Sequence, residues 1–215
     1  MPLKIYGVLR SRASRNVWLA HELGVEFRHV PVIQSYRTPA PGQLTTASAE
    51  FRAVNPNGRV PAMDWDGVVL NESLAINLYM AKRAGGPLAP RDLAEDGLMT
   101  MWSLWAMTEA EPHAINVLYH TIGKPPAERD PAVLAAAIAA LAQPFAVLDT
   151  ALAKDGFAVG GRFTVADLNL AEVFRYAQPA PELFDAAPRV RAWLAACQAR
   201  PAFRRMMEER EQEPA

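Results

Sequence analysis

The sequence predicts an α/β domain followed by an all-helical domain. The first 85 residues alternate short β-rich runs with helical patterns, whereas the rest of the chain has long Ala-, Leu- and Met-rich helical segments and almost no strand signal. The first part carries 10 basic and 6 acidic residues, the second 12 and 17, and the turn signal Gly85-Gly86-Pro87 separates them. We therefore predict an α/β domain at 1–83, a linker at 84–93 and an all-helical domain at 94–215.

In the α/β domain, the first three elements form a βαβ unit. The pattern predicts an apolar strand at Leu3–Leu9, a helix at Ser14–Leu23 that ends at Gly24, and a second strand at Phe27–Val32. A strand, a helix and a strand within about 30 residues give two parallel strands joined by a right-handed crossover.

A hairpin and a helix complete this domain. Residues 33–58 are polar and contain prolines, which predicts a loop with at most one short helix. The runs Arg59–Trp65 and Val68–Leu70 flank Asp66-Gly67, a strong hairpin signal, and a helix is predicted at Asn71–Arg83. The expected topology is βαβ plus ββα.

The second domain is punctuated by helix start and stop signals. A helical pattern from Leu98 to Trp105 should bend or end at Pro112, because proline lacks a backbone N–H. Asp130-Pro131 predicts an N-cap followed by proline at the first helical position. Thr164 and Asp167 are spaced as in a capping box, in which each residue satisfies a backbone N–H of the other.

Composition excludes several classes of protein. Of the 215 residues, 51% are hydrophobic and 21% are charged, so the chain can bury a core and is not disordered. The formal net charge of −1 gives no field that would attract nucleic acid or an anionic membrane. We expect neither as a partner.

The cysteine content and the N-terminal residues indicate the compartment. The single cysteine, Cys197, cannot form an internal disulfide or a CxxC pair, which favours a reducing, cytoplasmic compartment. The first ten residues lead directly into a strand pattern and lack a secretory signal. The longest apolar run, Ala132–Ala142, is shorter than the ~20 residues that span a bilayer, so no transmembrane segment is expected.

Ser11 and Ser14 are the first candidate catalytic residues. They lie where the first strand leads into the first helix, and a hydroxyl at a helix N-terminus can help to hold an anion such as a thiolate. Positive potential is added by Arg10, Arg12 and Arg15. The alternative is that either serine only caps the helix.

Two further segments suggest binding to a peptide-like ligand. In Val60-Pro61, a cis bond would leave the N–H and C=O of Val60 free to pair with an extended peptide, although trans proline on an edge strand is the commoner arrangement. In Glu72-Ser73, the Ser73 N–H and hydroxyl could receive a carboxylate while Glu72 pairs with an ammonium group. Capping by Asn71 or Ser73 explains the tripeptide Asn71-Glu72-Ser73 equally well.

Together these segments resemble the glutathione transferase superfamily, over essentially all of residues 4–205. The start of the chain, KIYGVLRS followed by Ser14-Arg15, is similar to cytosolic, bacterial-type members with a serine site, notably the phi and theta classes. NPNGRVPAM at 55–63 resembles the segment that carries the family's cis-proline, and NESLAI at 71–76 resembles its [DE]S-x-x-I signature. FTVAD at 163–167 resembles the folding motif of the helical domain.

The resemblance implies a thioredoxin-like first domain and roles for individual residues. Ser11 matches the serine whose hydroxyl donates to the glutathione sulfur, with Ser14 as the nearby alternative, whereas Thr164 and Asp167 match a structural cap. The remaining implied contacts to glutathione are made by Arg59 and the backbone of Val60, beside Pro61, and by the γ-glutamyl clamp of Glu72 and Ser73.

The implied activity is conjugation of glutathione, the co-substrate, to a small hydrophobic electrophile, as in detoxification. From helical periodicity we expect Met101, Trp105 and Thr108 to line the electrophile pocket, with ordinary core packing as the alternative. The resemblance also implies a homodimer. No metal is expected, because the four histidines lack ligand spacing on a helix face.

Several alternatives remain open at this point. Tyr6 lies roughly where tyrosine-type members carry their catalytic phenol, and Ala13 stands where the maleylacetoacetate isomerases have cysteine, which weakens an isomerase reading. The segment Trp102–Met107 with Pro112 resembles bacterial glutathione-dependent disulfide reductases, so peroxidase or disulfide reductase activity is the first alternative. A non-catalytic binding or scaffold protein is the second.

Overall fold

The computed structural model describes residues 2–213 and divides into two compact units. The first comprises the chain up to Gly86 together with the segment from Arg200 onward, and the second comprises Pro87–Ala199. The first break lies close to the predicted linker. The segment from Arg200 onward, which the sequence placed in the predicted all-helical domain at 94–215, is grouped with the first unit.

The first unit is built on a mixed four-stranded sheet. Its strand order is β2-β1-β3-β4, with β1 parallel to β2 and antiparallel to β3, and with β3 antiparallel to β4. This topology confirms the predicted βαβ and ββα arrangement. The strands are β1 Leu3–Tyr6, β2 Phe27–Val30, β3 Ala62–Trp65 and β4 Val68–Asn71.

Helices of this unit cover the sheet and bury its apolar side chains. Leu3 and Ile5 of β1 are buried, and the β3–β4 turn has positive φ at Asp66 and Gly67, as the hairpin signal predicts. The helix in the loop-rich segment is short, as expected. The helices are α1 Ala13–Leu23, α2 Ala49–Val54, α3 Ser73–Ala84 and, from the C-terminal segment, α10 Pro201–Gln212.

Helix α10 packs against α1 through apolar and charged contacts. The rings of Trp18 and Phe203 meet edge to face at 4.9 Å, and the Arg200 guanidinium donates to the Glu22 carboxylate at 2.6 and 2.7 Å. His21 Nε2 lies 2.9 Å from a carboxylate oxygen of Glu209. These contacts join residues 178 to 188 positions apart, so local sequence patterns do not show that the last segment packs with the first unit.

The second unit consists of helices around a central, buried helix. All ten residues of Val165–Phe174 are buried, including the polar Asp167, Asn169 and Glu172. Cys197 is buried as well. The α-helices are α4 Leu93–Trp105, α5 Glu111–Leu118, α6 Pro131–Leu152, α7 Val165–Phe174, α8 Pro181–Ala186 and α9 Pro188–Gln198.

Pro112 shapes the junction between α4 and α5. The residues between them, Ala106–Ala110, form a π-helical turn in which the Glu111 N–H donates to the Ala106 carbonyl five residues earlier. Because Pro112 has no N–H to continue the α-helical ladder, the wider turn absorbs the interruption. The predicted bend is therefore a π-turn followed by a new helix.

Helix α6 is longer and more apolar than the sequence run suggested. It has 22 residues and a mean hydropathy of 1.9, so by length and composition alone it could span a membrane. Its buried side chains, however, include Leu141, Phe145 and Leu148, and Asp149 near its C-terminus accepts hydrogen bonds from Arg189. Only six of its 22 residues are buried, and they are spaced on one face, so the helix packs within the second unit through that face.

The capping box predicted at the start of α7 is present. Thr164 and Asp167 satisfy each other's backbone N–H groups, and the Thr164 hydroxyl lies 3.0 Å from Asp167 Oδ2. Asp167 Oδ1 also accepts from the Ala158 N–H at 2.9 Å and from Trp193 Nε1 at 3.0 Å. Burial raises the pKa of Asp167, and these hydrogen bonds act in the opposite direction.

A cluster of charged side chains fixes the first residues of the second unit to the loop that carries Arg162. Glu95 pairs with Arg162 at 2.9 Å and with Arg91, and the Arg162 guanidinium also donates to the carbonyls of Pro87 and Ala89. Hydrogen bonds from Arg162, and then from Arg91, lower the pKa of Glu95 well below its usual value.

The lowered pKa of Glu95 predicts a pH-dependent contribution to stability. Because the folded-state pKa lies below the unfolded value of 4.5, the contribution is complete above about pH 4.5 and is lost as the pH falls. Glu95→Gln should lower the free energy of unfolding by about 1–2 kcal/mol at neutral pH. Urea unfolding at neutral pH and near pH 4 checks this; an equal difference between variant and wild type at both pH values would contradict it.

Candidate active site

Ser11 lies in a tight turn between β1 and α1. Its hydroxyl donates to the Val8 carbonyl at 2.6 Å, and its oxygen accepts from the Ala13 N–H at 3.1 Å. The side chain is half-buried, so it remains reachable from solvent. A hydroxyl oxygen that already accepts a backbone N–H is polarised as a donor.

Ser14 is less accessible than Ser11. It is fully buried, and its hydroxyl donates to the Ser11 carbonyl at 3.1 Å within the first turn of α1. This geometry fits a structural role in the turn, and it favours Ser11 as the residue that contacts a ligand.

Val60 lies close to the start of α1, because the backbone at Gly7 passes close to both Ala13 and Val60. A Cβ atom at Gly7, whose φ is +129°, would lie 3.0 Å from the Cβ atoms of both Ala13 and Val60. Only glycine permits this approach in this conformation. Val60 also lies two residues before Ala62, which is the first paired residue of β3.

The Val60–Pro61 peptide bond is cis, as the family resemblance implied. Asn55 is buried and its Nδ2 donates to the Arg59 carbonyl at 2.6 Å, which fixes the loop that leads to this bond. The Arg59 side chain is exposed, whereas Pro61 is buried. Arg59 and the Val60 backbone are thus presented on a fixed loop.

Glu72 and Ser73 form the entry to α3, and the backbone there is strained. Glu72 has φ +66° and ψ 109°, a region that residues other than glycine rarely adopt, while its side chain is exposed. Ser73 is the first residue of the helix and is buried. A strained acidic residue at a helix N-terminus, where anions are favoured, indicates a binding function.

A buried polar network connects α1 with Ser73. Arg15 is fully buried and its Nη1 donates to the Ser73 hydroxyl at 3.1 Å. Asn16, also fully buried, donates through Nδ2 to the Ser73 carbonyl at 2.8 Å and to Asn77 Oδ1 at 2.7 Å. The network fixes the first turn of α3 relative to the first turn of α1.

Sequence reasoning missed the structural role of Arg15, Asn16 and Asn77. It assigned Arg15 only a contribution to positive potential. The available signal was a pair of polar residues within an otherwise apolar face of a short helix, which indicates buried partners.

Taken with the contacts described above, the structure brings Ser11, Val60 and Ser73 together around the N-terminus of α1.

Tyr6 does not share this arrangement. It is half-buried, and its ring packs against Phe51, with centroids 6.2 Å apart, as part of a cluster that includes Val32 and Ala62. Its place in apolar packing favours Ser11 over Tyr6 as the donor to a ligand.

The expected pocket residues Met101, Trp105 and Thr108 belong to the second unit. Met101 and Thr108 are exposed, and Trp105 is half-buried, stacked on Phe174 at 6.2 Å. Thr108 lies in the π-turn, where its hydroxyl donates to the Leu104 carbonyl at 3.3 Å. Trp105 therefore has the packing contacts of the core alternative, whereas the other two are open to solvent.

Among residues 2–213, no three His, Cys, Asp or Glu side chains are grouped so that they could hold a metal ion. The groups present around the start of α1 are hydroxyl and backbone donors, an exposed carboxylate and nearby guanidinium groups.

The fold defines a thioredoxin-like domain, with serine residues and no cysteine at the N-terminus of its first helix. The chain belongs to the glutathione S-transferase family: residues 11–83 match the model of its N-terminal domain and residues 131–196 match that of its C-terminal domain. The predicted family is therefore confirmed.

Individual relatives resemble the chain over nearly its whole length. Glutathione S-transferase 3 of Zea mays is 32% identical, covering 95% of this chain and 92% of its own, and a glutathione S-transferase of Hyoscyamus muticus is 30% identical, covering 97% and 99%. Among solved structures, the theta class enzyme of Xanthomonas axonopodis pv. citri with glutathione bound superposes with a TM-score of 0.81 at 32% identity. That alignment covers 95% of this chain and 97% of the other.

Proposed function

We propose that this protein binds glutathione, activates it as the thiolate and transfers it to small hydrophobic electrophiles. The observation that carries the proposal is the convergence of Ser11, Val60 and Ser73 at the N-terminus of α1, in a chain of the glutathione S-transferase family. Each position offers the donor or acceptor that one part of the tripeptide requires.

Glutathione would be held along the edge of the first unit. The Val60 backbone pairs with the cysteinyl residue in β fashion, and Arg59 contacts the same peptide. Glu72 pairs with the ammonium group of the γ-glutamyl residue, while the Ser73 N–H and hydroxyl receive its carboxylate at the start of α3. The buried Arg15 guanidinium, which contacts the Ser73 hydroxyl, adds positive potential behind that carboxylate.

Ser11 would stabilise the sulfur anion. When glutathione binds, the hydroxyl turns from the Val8 carbonyl and donates to the sulfur, and the thiol proton passes to solvent. The thiolate then attacks the electrophilic carbon: a carbon–sulfur bond forms, the bond to the leaving group breaks, and the leaving group departs with the electron pair.

The magnitudes are sufficient without a general base. Lowering a thiol pKa from about 8.5 to about 6.5 requires roughly 2.7 kcal/mol of preference for the anion. A hydroxyl donor to a charged acceptor contributes about 1.5–3 kcal/mol. The helix N-terminus contributes about 0.3–1 kcal/mol more.

The partners and location follow from the same proposal. The electrophile would be small and hydrophobic and would use Met101, Trp105 and Thr108, whose exposed or half-buried side chains are available in the second unit. A homodimer in the cytoplasm is the expected form, consistent with family membership and with a single, buried cysteine.

The proposed activity is tested with glutathione and 1-chloro-2,4-dinitrobenzene, an activated aryl halide. Release of chloride with stoichiometric formation of the thioether supports conjugation. Oxidation of glutathione with a peroxide or disulfide substrate, without conjugation, would instead assign the redox alternative. Failure to bind glutathione at millimolar concentration would leave the scaffold reading.

The strained backbone at Glu72 predicts that one substitution weakens glutathione binding without lowering the stability of the protein. Glu72→Gly removes both a side chain at positive φ and the partner of the glutathione ammonium group. We expect the Kd for glutathione to rise roughly 10-fold, while the free energy of unfolding stays the same or increases by up to about 1 kcal/mol. Calorimetry and urea unfolding measure the two quantities. A variant that loses stability and retains affinity would contradict the assignment.

A further inference from the structure

We propose that Glu213, which follows α10, is a positioning residue for Ser11. The inference rests on the proposed function, because Ser11 must be the donor to the glutathione sulfur. It extends that function to the C-terminal segment, which carries a carboxylate onto the turn that holds the serine.

Glu213 binds the two residues that lie between Val8 and Ser11. Its Oε2 accepts from the Leu9 N–H at 2.7 Å and from the Arg10 N–H at 3.3 Å. The Arg210 guanidinium donates to the Leu9 carbonyl at 3.1 Å, so the same segment also holds the other side of that peptide.

The Ser11 turn needs such an acceptor. The Ser11 hydroxyl donates to the Val8 carbonyl, closing a four-residue turn in which Leu9 and Arg10 are the central residues. Backbone N–H groups at the centre of a turn point outward and require a partner outside it, and successive N–H groups of this kind bind anions well. Glu213 is that anion.

Burial strengthens the hydrogen bonds that the Glu213 carboxylate accepts. The Glu213 side chain is only 10% exposed, and its second oxygen lies 4.0 Å from His29 Nε2, which in turn donates to the Gly7 carbonyl at 2.6 Å. The segment from Gly7 to Arg10 is thus held at both ends. Charge-assisted hydrogen bonds in a partly buried setting are stronger than neutral ones.

The consequence for catalysis is geometric. The hydroxyl must leave the Val8 carbonyl and reach the sulfur without movement of the turn itself. With Leu9 and Arg10 fixed by Glu213, only the Ser11 side-chain torsion changes. Without Glu213, the turn relaxes and the donor is no longer held toward the ligand.

The experiment compares Glu213→Ala with Glu213→Gln and with Glu211→Ala, a control at an exposed residue of α10. We measure the thiol pKa of bound glutathione by ultraviolet absorbance, and kcat and KM for conjugation. Glu213→Ala should raise the thiol pKa by roughly half a unit to one unit and lower kcat about 5- to 10-fold, with KM for glutathione within about 2-fold. Glu213→Gln keeps an acceptor oxygen and should restore most of the activity, and Glu211→Ala should resemble the wild type.

A double-mutant cycle decides whether the effect passes through Ser11. In a Ser11→Ala background, Glu213→Ala should have no further effect on kcat or on the thiol pKa. The same loss in both backgrounds, or lost thermal stability with unchanged thiol pKa and kcat, would overturn the inference. If wild-type protein binds no glutathione, the proposed function and the inference fail together; if it binds and conjugates normally and only the cycle fails, the inference alone is wrong.

Discussion

Ser11→Ala should lower kcat/KM for glutathione conjugation by roughly 10- to 100-fold, equal to about 1.4–2.7 kcal/mol of transition-state stabilisation. The Ser11 hydroxyl is half-buried at the start of α1, and it accepts from the Ala13 N–H, which polarises it as a donor. Removing it should raise the thiol pKa of bound glutathione, since the anion loses its strongest protein donor. Steady-state kinetics across a pH series separates this effect from weaker binding.

Ser14→Ala and Tyr6→Phe serve as controls for the same measurement. Ser14 is fully buried and donates to the Ser11 carbonyl, and Tyr6 packs against Phe51. We therefore expect Tyr6→Phe to leave the thiol pKa unchanged and Ser14→Ala to act mainly on stability. A larger catalytic loss in Ser14→Ala than in Ser11→Ala would show that the assignment of the serines is wrong.

Asp167→Ala should destabilise the protein by about 3–5 kcal/mol, the largest expected effect on stability. Asp167 is fully buried and accepts from the N–H groups of Thr164 and Ala158 and from the Trp193 indole. Alanine would leave these buried donors without their acceptor, and each such donor costs about 1–3 kcal/mol. The capping of α7 would be lost as well.

Urea unfolding measures the effect, with Asp155→Ala as the matched control. Asp155 is an exposed acidic residue in the loop before α7, and its replacement should change the free energy of unfolding by less than about 0.5 kcal/mol. Catalysis by the folded fraction of Asp167→Ala should be nearly normal, because Asp167 belongs to the second unit and makes none of the proposed contacts to glutathione. Comparable stability of the two variants would contradict the proposed role of the cap.

Features with a local physical cause could be predicted from the sequence. The hairpin at Asp66-Gly67, the left-handed end of α1 at Gly24 and the capping box at Thr164 each depend on residues within a few positions of one another. Pro112 likewise predicted an interruption, although not that a π-turn would absorb it. The first strand was predicted too long, because Gly7 turns the chain away after Tyr6.

Features that depend on distant partners could not be predicted in this way. The carboxylate of Glu213 meets the Ser11 turn across more than 200 residues, and Arg15 is buried because Ser73, 58 positions later, is its partner. Glu and Arg are residue types that usually lie on the surface, so residue type alone does not predict these buried contacts. Only the fold shows that each one satisfies a buried backbone or side-chain group.

The site itself was predictable to the extent that motifs carry it. The segments around Ser11, Val60 and Ser73 resemble family motifs, and the structure brings them together around one helix terminus. The electrophile pocket has no such motif, and periodicity alone does not separate a pocket residue from a packed one. Trp105, stacked on Phe174, illustrates the ambiguity.

The central claim is tested most directly by the ultraviolet thiolate absorbance of glutathione bound to the wild-type protein near neutral pH, compared with Ser11→Ala at equal occupancy. The account predicts a thiolate signal in the wild type that is lost or moved to higher pH in the variant. Bound glutathione that stays a thiol in the wild type, or an equal thiolate signal in both proteins, would contradict it.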